Sequence, residues 1–336
     1  MPDTREKMVP DWVWAALAIA VVSVALALFV TDSPERPGDA LVYDVSEYEA
    51  VDAEDIRYRE TLRVALELEN PAALAVDNNG HILIAGEGAL LVLDEAGGEL
   101  ARREIEGRPY CAAVAPDGVI YLGMRDHVAA CSPEGDVLAA WDMLNERAWL
   151  TSIVADENHV FVADSGNARV YVYDHSGTRH TVIGERDPEQ GLHGFVVPSH
   201  YFEVALDTTG ALWATNPGKL GLEKYREDGA LLGAWHQPGF DIDKFPGCCN
   251  PVHIAFKSDG ALVAAEKGIN RVKVFAADRS FEGVVAAPEL LNAGWKTADF
   301  PDDMTPVRDI AVDGNDRVLV LHGPLRSLLI FEHINK

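Results

Sequence analysis

Apolar and polar positions between residues 73 and 331 fall into a loose unit that recurs six times. Each unit reads as a short apolar strand, a turn, a second strand, a polar loop and a third strand. The openings are Ala73-Leu-Ala-Val-Asp77, Cys111-Ala-Ala-Val-Ala115, Ser152-Ile-Val-Ala-Asp156, Glu203-Val-Ala-Leu-Asp207, His253-Ile-Ala-Phe-Lys257 and Asp309-Ile-Ala-Val-Asp313. Turn residues follow: Asn79-Gly80, Asp117-Gly118, Asn158, Thr209-Gly210, Asp259-Gly260 and Asp313-Gly314. Short strands repeating about every 40 residues are the signature of propeller blades. The chain is therefore expected to be all-β, a six-bladed β-propeller.

The sixth unit ends with the chain and lacks a fourth strand. Thr61–Leu68 alternates Leu62, Val64, Leu66 and Leu68 against Arg63 and Glu67, the pattern of a half-buried strand. It belongs to no unit of its own, so it is expected to complete the sixth blade. Closure of the ring in this way removes an exposed sheet edge.

Before the repeats, Trp12–Val30 is an uncharged run that would span roughly 28 Å as a helix, about the hydrocarbon thickness of a bilayer. It is longer than the 7–15 residues usual for a signal-peptide core, and the segment before it is not clearly basic. Arg5 and Lys7 precede it, whereas Asp32, Glu35, Asp39 and Asp44 follow. The expected arrangement is a cytoplasmic N-terminus (1–11), a single transmembrane anchor (12–30), a linker rich in Pro, Asp and Glu (31–59) and a periplasmic or extracellular propeller (60–336). The anchor makes the membrane one partner, and a membrane-bound protein complex is a second candidate. The net charge of −26 disfavours nucleic acid.

Two units carry a recognisable motif. Val160-Phe-Val-Ala-Asp164-Ser-Gly-Asn167-Ala-Arg169-Val-Tyr-Val-Tyr-Asp174-His-Ser-Gly177 resembles the NHL repeat, and so does Ala264-Ala-Glu266-Lys-Gly-Ile-Asn270-Arg271-Val-Lys-Val-Phe275. Gly86, Met124, Asn216 and His322 stand where the other units would carry the acidic residue. The resemblance covers about residues 60–336 and implies a six-bladed propeller of NHL type. That family includes lyases, sensor domains and binding scaffolds, so it implies no single activity. Some similar propellers are zinc lyases with histidines at the channel mouth; here only His253 stands at the aligned position.

In a propeller the first strand of each blade lines the axis. The aligned position becomes a ring of Ala73, Cys111, Ser152, Glu203, His253 and Asp309, with Glu, His and Asp on consecutive blades. Three long loops, Gly184–His200, His236–Cys249 and Ala286–Thr305, lead into blades four, five and six, and loops of that length are usually functional. One of them ends in the Cys248-Cys249 pair, just before His253. Carboxylate, imidazole and thiolate together suit zinc, iron or copper. The expected metal ligands are Cys248, Cys249, His253, Glu203 and Asp309. Cys111, Ser152, Glu266, Lys267, His200 and His322 are further channel-mouth candidates, and His236 lies on a loop of the same face. The competing reading is a water-filled channel, which also needs a polar lining.

Adjacent Cα atoms are 3.80 Å apart, closer than an unstrained disulfide needs. Cys248 and Cys249 are therefore read as metal ligands, as a strained redox-active pair or as partners of distant cysteines. Cys131 on a third strand reads as a small buried hydrophobe. For Arg169 and Arg271 the expected role is structural, each bonded to the acidic residue of its own motif. Trp213, Trp235 and Trp295 are expected to pack. The function expected is a membrane-anchored propeller with a metal or thiol-redox site at the channel mouth, with a non-enzymatic protein- or ligand-binding scaffold as the alternative.

Overall fold

A computed structural model describes residues 45–187, 189, 193–295 and 305–334. The expected anchor lies outside these residues, and among the described residues no helix is long and apolar enough to cross a membrane.

Every strand belongs to one of six four-stranded antiparallel sheets. The chain enters with β1 (Tyr58–Ala65). Blade one is β2 (Ala73–Val76), β3 (Ile82–Gly86), β4 (Ala89–Leu93) and β5 (Glu99–Glu104). Blade two is β6 (Cys111–Val114), β7 (Ile120–Gly123), β8 (Val128–Cys131) and β9 (Val137–Ala140). Blade three is β10 (Leu150–Ala155), β11 (Val160–Asp164), β12 (Arg169–Tyr173) and β13 (Arg179–Ile183). Blade four is β14 (Val204–Leu206), β15 (Leu212–Asn216), β16 (Gly221–Tyr225) and β17 (Leu231–His236). Blade five is β18 (His253–Phe256), β19 (Leu262–Ala265), β20 (Val272–Phe275) and β21 (Phe281–Ala286). Blade six is β22 (Val307–Val312), β23 (Val318–His322) and β24 (Ser327–His333), with β1 as its outer strand. The chain is a six-bladed, all-β propeller.

Closure follows the expected route. Tyr58 pairs with His333 and Ala65 with Ser327, so the two ends of the described domain share one sheet. The strand sits slightly earlier than its alternation suggested. Leu66 and Leu68 leave the sheet edge and enter the core between blades six and one, beside Leu74, Ile84, Leu319 and Leu328. Pairing also begins before residue 60: Ile56 bridges Val284 on the outer strand of blade five, where Arg57 N donates to Val284 O at 3.1 Å.

Six hydrophobic clusters fill the six junctions between neighbouring blades. Alternate residues of a middle strand face opposite junctions, as Ile84 and Leu83 do in blade one. This explains why middle strands are apolar on both faces, while outer strands such as β5 and β9 are mostly exposed.

The aspartates that end the repeat openings form turns. Asp77 Oδ1 accepts from the backbone N–H groups of Asn79 and His81 at 2.8 Å, and Asp207 and Asp313 act alike. Each carboxylate holds its chain reversal, which is why Asp recurs at that position.

Candidate functional site

The aligned inner positions converge as a belt of polar side chains, most of them hydrogen-bonded to the next. Ser152 Oγ donates to Glu203 Oε1 at 2.5 Å. Glu203 Oε2 lies 2.9 Å from His253 Nδ1, and His253 Nδ1 lies 3.9 Å from Asp309 Oδ1. Asp309 Oδ2 accepts from Leu74 N at 2.7 Å, which carries the belt on to blade one. Blades three, four, five, six and one are thus linked through inner-strand residues. The belt is part of what holds the ring together, and it also concentrates reactive groups.

Glu203, His253 and Asp309 each offer one ligand atom, and these atoms all lie within 4.8 Å of one another. Among the described residues no other group of His, Cys, Asp and Glu side chains comes together in this way. Each donor is oriented from behind. Ser152 bonds Glu203, the Leu74 and Ile310 amides bond Asp309, and a main-chain hydrogen bond at Val307 holds His253.

The electrostatics follow from burial. Loss of water pushes the Glu203 carboxyl up to about 8, against the opposing hydrogen bond from Ser152. Burial, and then the charge of Glu203, push Asp309 up to about 7. Burial also holds His253 below its ordinary value, against the pull of Asp309. Near neutral pH the close Glu203–His253 contact is therefore a hydrogen bond between a carboxylic acid and a neutral imidazole, not an ion pair. The Cys111 thiol feels the same field; burial, then Glu203 and Asp309, hold it well above its ordinary value, so it stays a thiol. Gly123 gives that thiol its room, because a Cβ there would collide with Cys111 Sγ.

Above the belt lies a cavity of about 670 Å³ whose lining includes His253 and Asp309. Its wall holds the rings of Tyr110, Trp149, His200 and Tyr201 and the cations Arg108, Lys267 and Arg308. His200 stacks on Trp149 with ring centroids 4.3 Å apart, and its Nδ1 lies 3.2 Å from Ser165 Oγ. Ser165 in turn donates to Trp149 O, and Trp149 N donates to Asp164 Oδ1. The motif loop of blade three thereby positions two rings of the wall. Gly166 is needed in that loop because a Cβ would strike the Arg147 carbonyl.

The structure separates the remaining candidates. Cys248 and Cys249 lie outside the cluster of three. Their sulfurs are 3.4 Å apart and unbonded, Cys248 is exposed and Cys249 buried. Asn250 ties their loop to blade five by bonding the Pro246 and Lys267 carbonyls and the Lys267 amide. His322 is committed at both ring nitrogens, to Leu291 O and Leu325 N. His236 lies 3.7 Å from Glu223, at the end of an outer strand. Glu266 is fully buried between Arg271 Nε and Lys273 Nζ, at 2.8 and 2.7 Å. Arg271 therefore has the expected acidic partner, but Arg169 does not: it donates to the carbonyls of Ala168 and Gly184, because the Asp164 carboxylate is occupied by loop amides and the Asn167 side chain.

Several residues of the cavity wall were not singled out by the repeat alignment: Tyr110, Trp149, Tyr201, Arg108 and Arg308. A usable signal was present. Tyr110, Trp149 and Tyr201 each lie one to three positions before an aligned ring residue, on the segment that leads into an inner strand.

No protein-family model and no curated protein matches the chain. Solved structures do. A streptogramin B lyase is 13% identical with a TM-score of 0.56, covering 83% of this chain and 98% of that one. Virginiamycin B lyase from Staphylococcus aureus is also 13% identical, with a TM-score of 0.57, covering 82% of this chain and 100% of that one. A protein of unknown function from Bacteroides caccae is 13% identical with a TM-score of 0.52, covering 72% and 85%. At such identities the likeness is one of fold: the chain is a β-propeller similar in architecture to virginiamycin B lyase.

Proposed function

We propose that the channel mouth is a metal-assisted small-molecule site, with Glu203, His253 and Asp309 as the ligands of one divalent ion. The observation that carries this is the convergence of their three ligand atoms, within 4.8 Å, beneath an open cavity. The donor set fits. One imidazole and two carboxylates, with no thiolate among them, suit zinc, iron(II) or manganese. Burial raises the pKa of both carboxyls, so each holds a proton that a bound cation can replace. Such an ion would polarise a carbonyl or acidify a bound water. Around it, His253 and Asp309 face the cavity while Ser152 holds Glu203 in place.

A lyase activity is the class named by the similar solved propellers and is the first to assay. The motif loops at Asp164 and Glu266 support placing the chain among NHL-type propellers. The apolar run 12–30 and its flanking charges support a membrane-anchored propeller on the extracytoplasmic side. The close, unbonded Cys248 and Cys249 sulfurs favour a second reading, thiol redox chemistry at the lip of the mouth.

The test is metal content of protein purified without chelator or nickel, followed by titration of zinc, iron(II) and manganese. About one ion per chain, lost in Glu203→Gln and Asp309→Asn but kept in Cys248→Ser, is expected. Wild-type protein that binds none of the three more tightly than the variant carrying both Glu203→Gln and Asp309→Asn would refute the metal.

A further inference from the structure

The wall of the channel mouth has a charge opposite to that of the chain. The protein carries 54 Asp and Glu against 28 Lys and Arg. Among the described residues the cavity lining carries Arg108, Lys267 and Arg308 and one acidic side chain, Asp309 at its floor. Solvated acidic side chains cover a surface at no structural expense, whereas three cations gathered around one hollow set up a local field that draws anions. Two of the three are seated on rings of the same wall. The Arg108 guanidinium lies 5.2 Å from the Tyr110 ring centroid, and the Lys267 ammonium 5.2 Å from that of Tyr201. Lys267 is buried, and its amide is bonded by Asn250, so its position belongs to the folded core and not to a mobile surface.

Aromatic rings make up much of the remaining wall. Trp149 packs between Tyr110, at 5.2 Å, and the stacked His200, at 4.3 Å. Pockets of several hundred cubic ångströms with aromatic walls and a few placed charges are the usual form of small-molecule sites. An acidic ligand of high charge would meet Asp309 on the same lining. The fit is to a monoanion with a planar body.

We propose that the channel mouth takes an aromatic or conjugated carboxylate, its acid group toward Arg108, Lys267 and Arg308 and its flat body against Tyr110, Trp149 and Tyr201. This rests on reading the mouth as a small-molecule site, and it stands whether or not an ion occupies the floor.

The experiment is calorimetric titration of the full chain with benzoate, cinnamate and 2-naphthoate, and with the corresponding alcohols, in chelator and again with zinc. At least one carboxylate is expected to bind about tenfold or more tightly than its alcohol, as charge-assisted bonds require, and more weakly at high salt. Arg108→Gln, an exposed position, is expected to reduce that preference, weakening the carboxylate more than the alcohol; Trp149→Ala is expected to weaken both. Carboxylate binding in chelator with no zinc binding at all would sink the metal and uphold this inference. Zinc binding without any preference for carboxylate over alcohol, or no binding of any carboxylate, would overturn it.

Discussion

The Glu203 carboxyl and the His253 imidazole, borne by adjacent blades, meet at 2.9 Å with both groups buried and neither charged near neutral pH. The energy of this contact depends on the protonation of Glu203. Its consequences are measurable.

The pH dependence of stability has a definite sign. Glu203 titrates near 8 when folded against 4.5 ordinarily, so the folded chain binds more protons than the unfolded one between those values. Its contribution to stability therefore falls as pH rises from about 4.5 to 8. Melting temperatures of metal-free wild type and Glu203→Gln, measured from pH 5 to 8, should converge or cross, with the variant gaining relative stability at the alkaline end. Parallel curves would show that Glu203 is not protonated in the fold.

Metal affinity should rise over the same range, since binding displaces protons from Glu203 and Asp309. Ser152→Ala, which removes the donor behind Glu203, should weaken zinc by about 10- to 100-fold without loss of fold. Competition with a chromogenic chelator at pH 6.5 and 8 reads both effects.

Removal of the closing contact should be severe. Leu68 is buried at the junction of blades six and one, so Leu68→Ala should cost about 2–5 kcal/mol. Urea unfolding checks the figure, and deletion through Ala65, which strips blade six of its outer strand, should abolish the cooperative transition.

Glu266 neutralises two fully buried cations at once. Glu266→Gln leaves Arg271 and Lys273 uncompensated and should cost about 3–5 kcal/mol. The same denaturation measurement applies. An unchanged midpoint would mean that the Ile242 and Lys244 carbonyls alone satisfy Lys273.

Thiol reactivity should sort by exposure. Cys248 is exposed, whereas Cys111, Cys131 and Cys249 are buried. A thiol reagent added to native protein should modify one residue rapidly, and Cys248→Ser should abolish that fast phase. Rapid loss of Cys111 would contradict its burial and its raised pKa.

Much of this molecule could be read without coordinates. Short apolar runs broken by polar turns, several of them Asp-Gly, specify short strands, and six such units with one orphan strand admit few arrangements other than a closed ring. The inner ring was equally accessible, because repeats related by rotation bring equivalent positions to one level of the axis. Glu203, His253 and Asp309 share a repeat position, so the alignment put them side by side. Loops obey no such rule. Cys248 and Cys249 stand only four or five positions before His253, yet the loop pinned by Asn250 keeps their sulfurs out of the cluster. Arg169 and Arg271 occupy equivalent places but choose different partners, because loop amides claim Asp164 and leave Glu266 free for Arg271.

By itself, then, the sequence determined the blade number, the closing strand and the residues that face the axis, since these follow from periodicity and rotational symmetry. Only the tertiary structure decided that the mouth is walled by Tyr110, Trp149, Tyr201 and cations, and that burial raises the pKa values of Glu203 and Asp309. Both depend on which loops from different blades meet in space and on how completely they exclude water.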